Sequence, residues 1–103
     1  MPADERPLLL FFSTRRSGPA RRMESLLAHL AHRERSRLRV LKVDVEERPD
    51  LAERFRVADV PALALVVGKR VVAELQGRAT APAIEALVEP FLPAATTDAV
   101  DAA

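Results

Sequence analysis

With 103 residues, 49% hydrophobic and 30% charged, the chain has the composition of one globular domain with a modest core. Lys and Arg number 16 against 15 Asp and Glu, so a formal net charge of +1 excludes bulk attraction to nucleic acid or membrane. There is no cysteine, which excludes disulfides and any chemistry that starts from a thiolate.

In chain order, Met1–Pro7 reads as a short lead whose apolar content is too small for a signal peptide, so a cytoplasmic location is expected. No segment approaches the roughly 20 apolar residues of a membrane helix. Leu8–Ser13 is apolar without alternation, the pattern of a central strand covered on both faces. After the turn Arg16-Ser17-Gly18-Pro19-Ala20-Arg21, Met23, Leu26, Leu27 and Leu30 recur at helical spacing, and Pro19 is tolerated in a first turn. Leu38–Val45 alternates as a strand, and Pro49–Phe55 makes about two helical turns that bury Leu51 and Phe55. Ala62–Val67 and Arg70–Leu75 form strands joined by a tight hairpin at Gly68-Lys69. Thr80 caps a last helix with Ile84, Leu87, Val88 and Phe91 on its buried face. The order is βαβαββα. Residues 8–92 form the domain, and 93–103, without periodicity or bulk, read as a flexible tail.

Charge is unevenly distributed along this order. Basic residues crowd the interval from Arg15 to Lys42, where the only acids are Glu24 and Glu34, and the stretch from Asp44 to Asp59 turns acidic. Arg15, Arg16, Arg21 and Arg22 surround one helix N-terminus, where with Ser17 and the free N–H groups they form a candidate anion site. A solvated basic surface is the competing account. Ser17 lacks a Gly-x-Ser-x-Gly frame, so a helix-capping role outweighs a nucleophilic one. His29 and His32 are three apart, but no further ligands recur at metal-site spacing, and the acids Asp44, Glu46, Glu47 and Asp50 bring none; no metal and no cofactor are assigned.

Four features in order carry a family resemblance: the apolar strand ending at Ser13 before Ser17-Gly18-Pro19-Ala20, the strand end Lys42-Val43-Asp44-Val45 followed by Arg48-Pro49, the segment Asp59-Val60-Pro61-Ala62, and the glycines Gly68 and Gly77. From about Leu8 to Leu92 the chain resembles the thioredoxin-like proteins. The resemblance implies an α/β fold: a minimal thioredoxin-like βαβαββα, with a four-stranded mixed sheet, helices on both faces, and the usual opening strand and helix missing.

It also implies a cis Val60–Pro61 bond facing the active-site turn. In that family the turn carries Cys-Gly-Pro-Cys. Here Ser17 stands at the attacking cysteine and Ala20 at the resolving one, so the catalytic assignment is none. Phe11 holds the place of the buried aspartate that carries a proton, and Arg16 replaces the aromatic lip. Exchange of the two cysteines alone would account for Ser17 and Ala20 but not for Phe11 or Arg16.

The functional expectation is therefore a redox-inactive, non-enzymatic adaptor that binds a protein or peptide through the former substrate groove. In the family, the backbone of the residue before the cis-proline pairs with a substrate peptide, which needs no sulfur. The groove residues are Arg15, Arg16, Gly18, Asp59, Val60, Pro61, Gly77 and Arg78. The alternative is anion or nucleic-acid binding by the arginines, but the chain has no Tyr or Trp on which bases would stack, which argues against nucleic acid. A homodimer through the Leu38–Val45 edge, flanked by Val40, Val43 and Val45, is the further expectation, because the missing opening strand would leave that edge bare.

Overall fold

β1 (Leu8–Ser13) is the centre of the molecule in a computed structural model of the chain, which describes residues 5–16 and 18–93. Its residues are apolar on both sides because both sides are packed: Leu9 and Phe11 enter one core cluster, Leu10 and Phe12 the other. β2 (Arg39–Asp44) pairs with it in parallel across the α1 crossover (Gly18–Arg33), and β3 (Ala62–Val67) pairs with it antiparallel on the other side. β4 (Arg70–Gln76) completes a mixed sheet of order β2-β1-β3-β4. The hairpin between β3 and β4 turns on Gly68, whose φ of 66° with ordinary φ at Lys69 matches a two-residue type II′ turn.

The first core cluster lies under α1 and α3 (Ala81–Val88). Ala20, Met23, Leu27 and Leu30 project from one stripe of α1 to meet Ile84 and Val88 of α3. Thr80 caps α3, its Oγ1 accepting the Ala83 N–H at 3.3 Å. The second cluster is covered by α2 (Pro49–Arg54), whose Leu51 and the adjoining Phe55 pack half-buried on the sheet. α2 ends in a Schellman arrangement: Arg56 N–H donates to Glu53 C=O at 3.0 Å and Val57 N–H to Ala52 C=O at 2.8 Å. The residue in the left-handed position, normally glycine, is Arg56 at φ 57°.

Three sequence expectations are corrected. Phe91 lies in a 3-10 turn (Glu89–Phe91) beyond α3 and is exposed, because the chain leaves the helix axis at Pro90. Leu26 sits at the rim of α1 rather than inside. On the edge strand the exposed apolar residue is Leu41, whereas Val43 is buried and Val40 and Val45 are half-buried against the two clusters. No described helix is long and apolar enough to cross a membrane.

Candidate functional site

Strand direction gathers four loops at one end of the sheet. β1 and β2 are parallel and end together, with Ser13 beside Asp44. Phe12 pairs with Ala62 and Ala62 with Gln76, so β3 begins and β4 ends at that same edge. Residues 14–16, 45–48, 59–61 and 77–80 therefore emerge side by side, although more than sixty positions separate the first from the last.

Within this end, the Val60–Pro61 peptide is cis and Pro61 is buried. Gly77 N–H donates to the Pro61 carbonyl at 2.8 Å, and Gly77 has φ 86°, a conformation that a side chain would strain. Next to this clamp, the Val60 side chain is half-buried against the second core cluster, but its backbone N–H and C=O make no hydrogen bond with the described residues. Such groups are normally paired by protein or water. Asp59 and Arg78 are exposed on either side. Asp59 and Val60 border one shallow depression with Val45, Pro49, Ala52 and Val57. Arg78 borders another, of about 570 Å³, with Arg22, Met23 and Leu26.

Around the turn, Arg15, Arg16 and Gly18 are exposed, and the readings of Ser17 as cap or anion ligand lie outside the described residues. Ala20 is a core methyl, 3% exposed, in the same cluster as Phe11, Met23 and Leu27. Phe11 is flanked in the sheet by Lys42 and Leu63 and is 2% exposed. Burying that ring contributes about 1.5–3 kcal/mol, and the apolar shell around it offers nothing to hold a carboxylate. Phe11 is a packing residue of the first core cluster.

The arginines divide between two surfaces. Arg15 reaches Glu47 at 3.5 Å, a solvent-exposed pair worth little, and borders a polar depression of about 270 Å³ with Ser13, Thr14, Lys42, Asp44 and Glu47. Arg22 borders the Arg78 depression instead. Arg16 and Arg21 are exposed. Ser13 was not marked by sequence reasoning, being the last residue of an apolar run. Its Oγ is buried without a hydrogen-bond partner among the described residues.

The acidic stretch is occupied by local partners. Asp44 Oδ1 accepts the Glu46 N–H at 2.8 Å. The Asp50 carboxylate accepts two hydrogen bonds from Arg48, at 3.1 and 3.0 Å, which hold its pKa below the usual carboxylate value. His29 and His32 are exposed on α1, and among the described residues no group of three or more His, Asp or Glu is placed to hold a metal ion.

Comparison with known proteins agrees with this geometry. The profile of the Thioredoxin family matches residues 2–90. Thioredoxin 1 of Chlorobaculum tepidum is 39% identical over 64 residues, covering 62% of this chain and 63% of that protein, so the match spans somewhat under two thirds of that relative. Thioredoxin-1 of Drosophila melanogaster is 33% identical over 75 residues, 73% of this chain and 70% of that one. Among solved structures, the germline-specific thioredoxin Deadhead of Drosophila melanogaster superposes with a TM-score of 0.80 at 28% identity, covering 85% of this chain and 83% of the other. A mutant thioredoxin from Halobacterium salinarum gives 0.79 at 28% identity, over 86% and 77%.

Proposed function

The chain belongs to the thioredoxin family, and from that premise we propose that it is a redox-inactive binding module that takes an extended peptide at the loop end of its sheet. Thiol–disulfide exchange begins with thiolate attack and ends with a second thiol resolving the mixed disulfide. A chain without cysteine has neither reagent. What the fold retains is the backbone apparatus beside the proline.

One observation carries this reading: among the described residues, Val60 keeps an unengaged N–H and C=O next to a cis-proline that is itself held by Gly77. A peptide laid along Val60 would use both groups as a short added strand. Asp59 on one side and Arg78 on the other would select its charge pattern. The arginines on the opposite loop, split between two depressions, support a subsidiary part in that selection rather than a separate anion site.

Affinity capture from a native lysate tests the reading with Asp59→Lys and Arg78→Glu, both exposed positions that leave the core untouched. A partner held by the native chain and lost from both variants supports groove binding. A partner retained undiminished by both overturns it. A salt titration separates the anion alternative, since phosphate contacts give a steep dependence of affinity on salt and backbone pairing a shallow one.

A further inference from the structure

The two faces of the sheet are covered unequally. The first has α1 and α3 along it, of 16 and 8 residues. Among the described residues the second has only the six-residue α2, and that helix is fastened at the loop end, where Phe55 meets Phe12. Toward the β3–β4 hairpin the second face is open. Leu10 and Val66 form its floor, and Leu41 and Val71 stand 52% and 42% exposed on the outer strands. The resulting groove has a volume of about 820 Å³.

Its rim is charged with one sign in excess. Arg54 and Arg56 at the end of α2 and Lys69 of the hairpin face a single acid, Glu74. None of the three cations has an ion pair among the described residues.

We propose that this groove docks an amphipathic helix of another protein, with apolar residues along one stripe and acidic residues flanking it. Layering favours a helix, because a half-covered sheet face is completed by an element whose own backbone bonds are satisfied. Size agrees. Three strand spacings of about 4.8 Å separate β2 from β4, roughly 14 Å, and a helix with its side chains is about 10–12 Å across. Charge then chooses among occupants. A second copy would set three more cations against three, whereas acidic flanks neutralise the rim. Residues 94–103 hold one bulky apolar side chain, Val100, and cannot supply a stripe. The groove lies at the end of the sheet away from Val60, so it is separate from the peptide site.

The test uses a synthetic helical peptide of about 18 residues, roughly 27 Å long as a helix, with Leu at i, i+3, i+4 and i+7 and Glu on the flanks. A matched peptide carries Lys in place of Glu. With isotopically labelled full-length chain, the Glu peptide is expected to shift the amides of Leu10, Leu41, Val66 and Val71 and to bind about tenfold or more tighter than the Lys peptide. Leu41→Glu and Lys69→Glu, both at exposed positions, are each expected to weaken it several-fold with the rest of the spectrum unchanged. Equal binding of the two peptides, or shifts confined to other surfaces, overturns the proposal. So does a spectrum in which truncation after Pro93 perturbs these amides (occupation by the tail), or a concentration-dependent dimer that Leu41→Glu abolishes and Lys42→Pro leaves intact (occupation by a second copy through the groove).

Discussion

Phe12 and Phe55 meet with ring centroids 5.6 Å apart and planes inclined at 48°. This tilted contact fastens the chain just after α2 to the central strand, close behind the cis-proline loop. It closes the second sheet face near the peptide site and leaves the far half open. Phe55→Ala is therefore expected to destabilise the fold by about 2–3 kcal/mol, below the full cost of a buried ring because Phe55 is half-buried. Leu41→Ala on the same face is expected to stay within about 0.5 kcal/mol. Urea unfolding of the two variants checks both values.

Arg56 occupies the left-handed position of the α2 terminus with φ 57°. A side chain there costs roughly 1–2 kcal/mol, partly recovered on substitution by glycine because glycine also frees the unfolded chain. Arg56→Gly is expected to raise stability by about 0.5–1 kcal/mol, seen as a higher Tm. A lower Tm would mean that the Arg56 side chain stabilises the α2 terminus through contacts of its own.

Glu34 closes the loop between α1 and β2. Its carboxylate accepts hydrogen bonds from Arg37 at 2.9 and 2.7 Å, and from Arg33 at 3.4 Å. These bonds, those of Arg37 first, hold the Glu34 pKa below its ordinary value of 4.5. A carboxyl depressed in the folded state contributes stability above its unfolded pKa and loses it as the pH falls through the folded one. Glu34→Gln is expected to cost about 0.5–1 kcal/mol at neutral pH and progressively less below about pH 4.5. Denaturation curves at pH 7 and pH 3 test the sign, and an equal loss at both would overturn it.

Insulin reduction coupled to a thioredoxin-reductase system is expected to stay at background with the native chain, since no thiol is present. Ser17→Cys combined with Ala20→Cys is expected to restore at most poor turnover. Ala20 is buried among apolar side chains, and Phe11 cannot relay a proton. Adding Phe11→Asp should make matters worse, costing several kcal/mol by placing a carboxyl in an apolar shell. Rates matching an active thioredoxin in the double variant would show that Phe11 is not limiting.

Pairing of two copies through the outer edge of β2 is the oligomeric arrangement we propose. Arg39 and Val45 donate their N–H groups inward, to Pro7 and Ser13, so by strand alternation Val40, Lys42 and Asp44 donate outward. Val43, although central in the strand, points its N–H at β1. Lys42→Pro, at an edge position that tolerates proline, is thus the informative substitution. Sedimentation at micromolar concentrations is expected to show a dimer for the native chain and a monomer for this variant. A dimer indifferent to Lys42→Pro would have to use another surface.

The sequence alone determined what is local or periodic. The unalternating run Leu8–Ser13 demanded a strand buried on both faces, Gly68 demanded a tight hairpin, and Thr80 carried its own cap. The lack of thiol chemistry required no structure at all. Only the tertiary structure decided what depends on which element covers which face. Leu41 rather than Val43 is exposed because α2 stops short of it. Arg15 and Arg22, seven positions apart, border different depressions because one precedes α1 and the other projects from it. Pro61 and Gly77 meet because an antiparallel hairpin returns β4 to the start of β3. Periodicity records which residues avoid water along one element, whereas the approach of two elements is fixed by contacts between residues far apart in the chain.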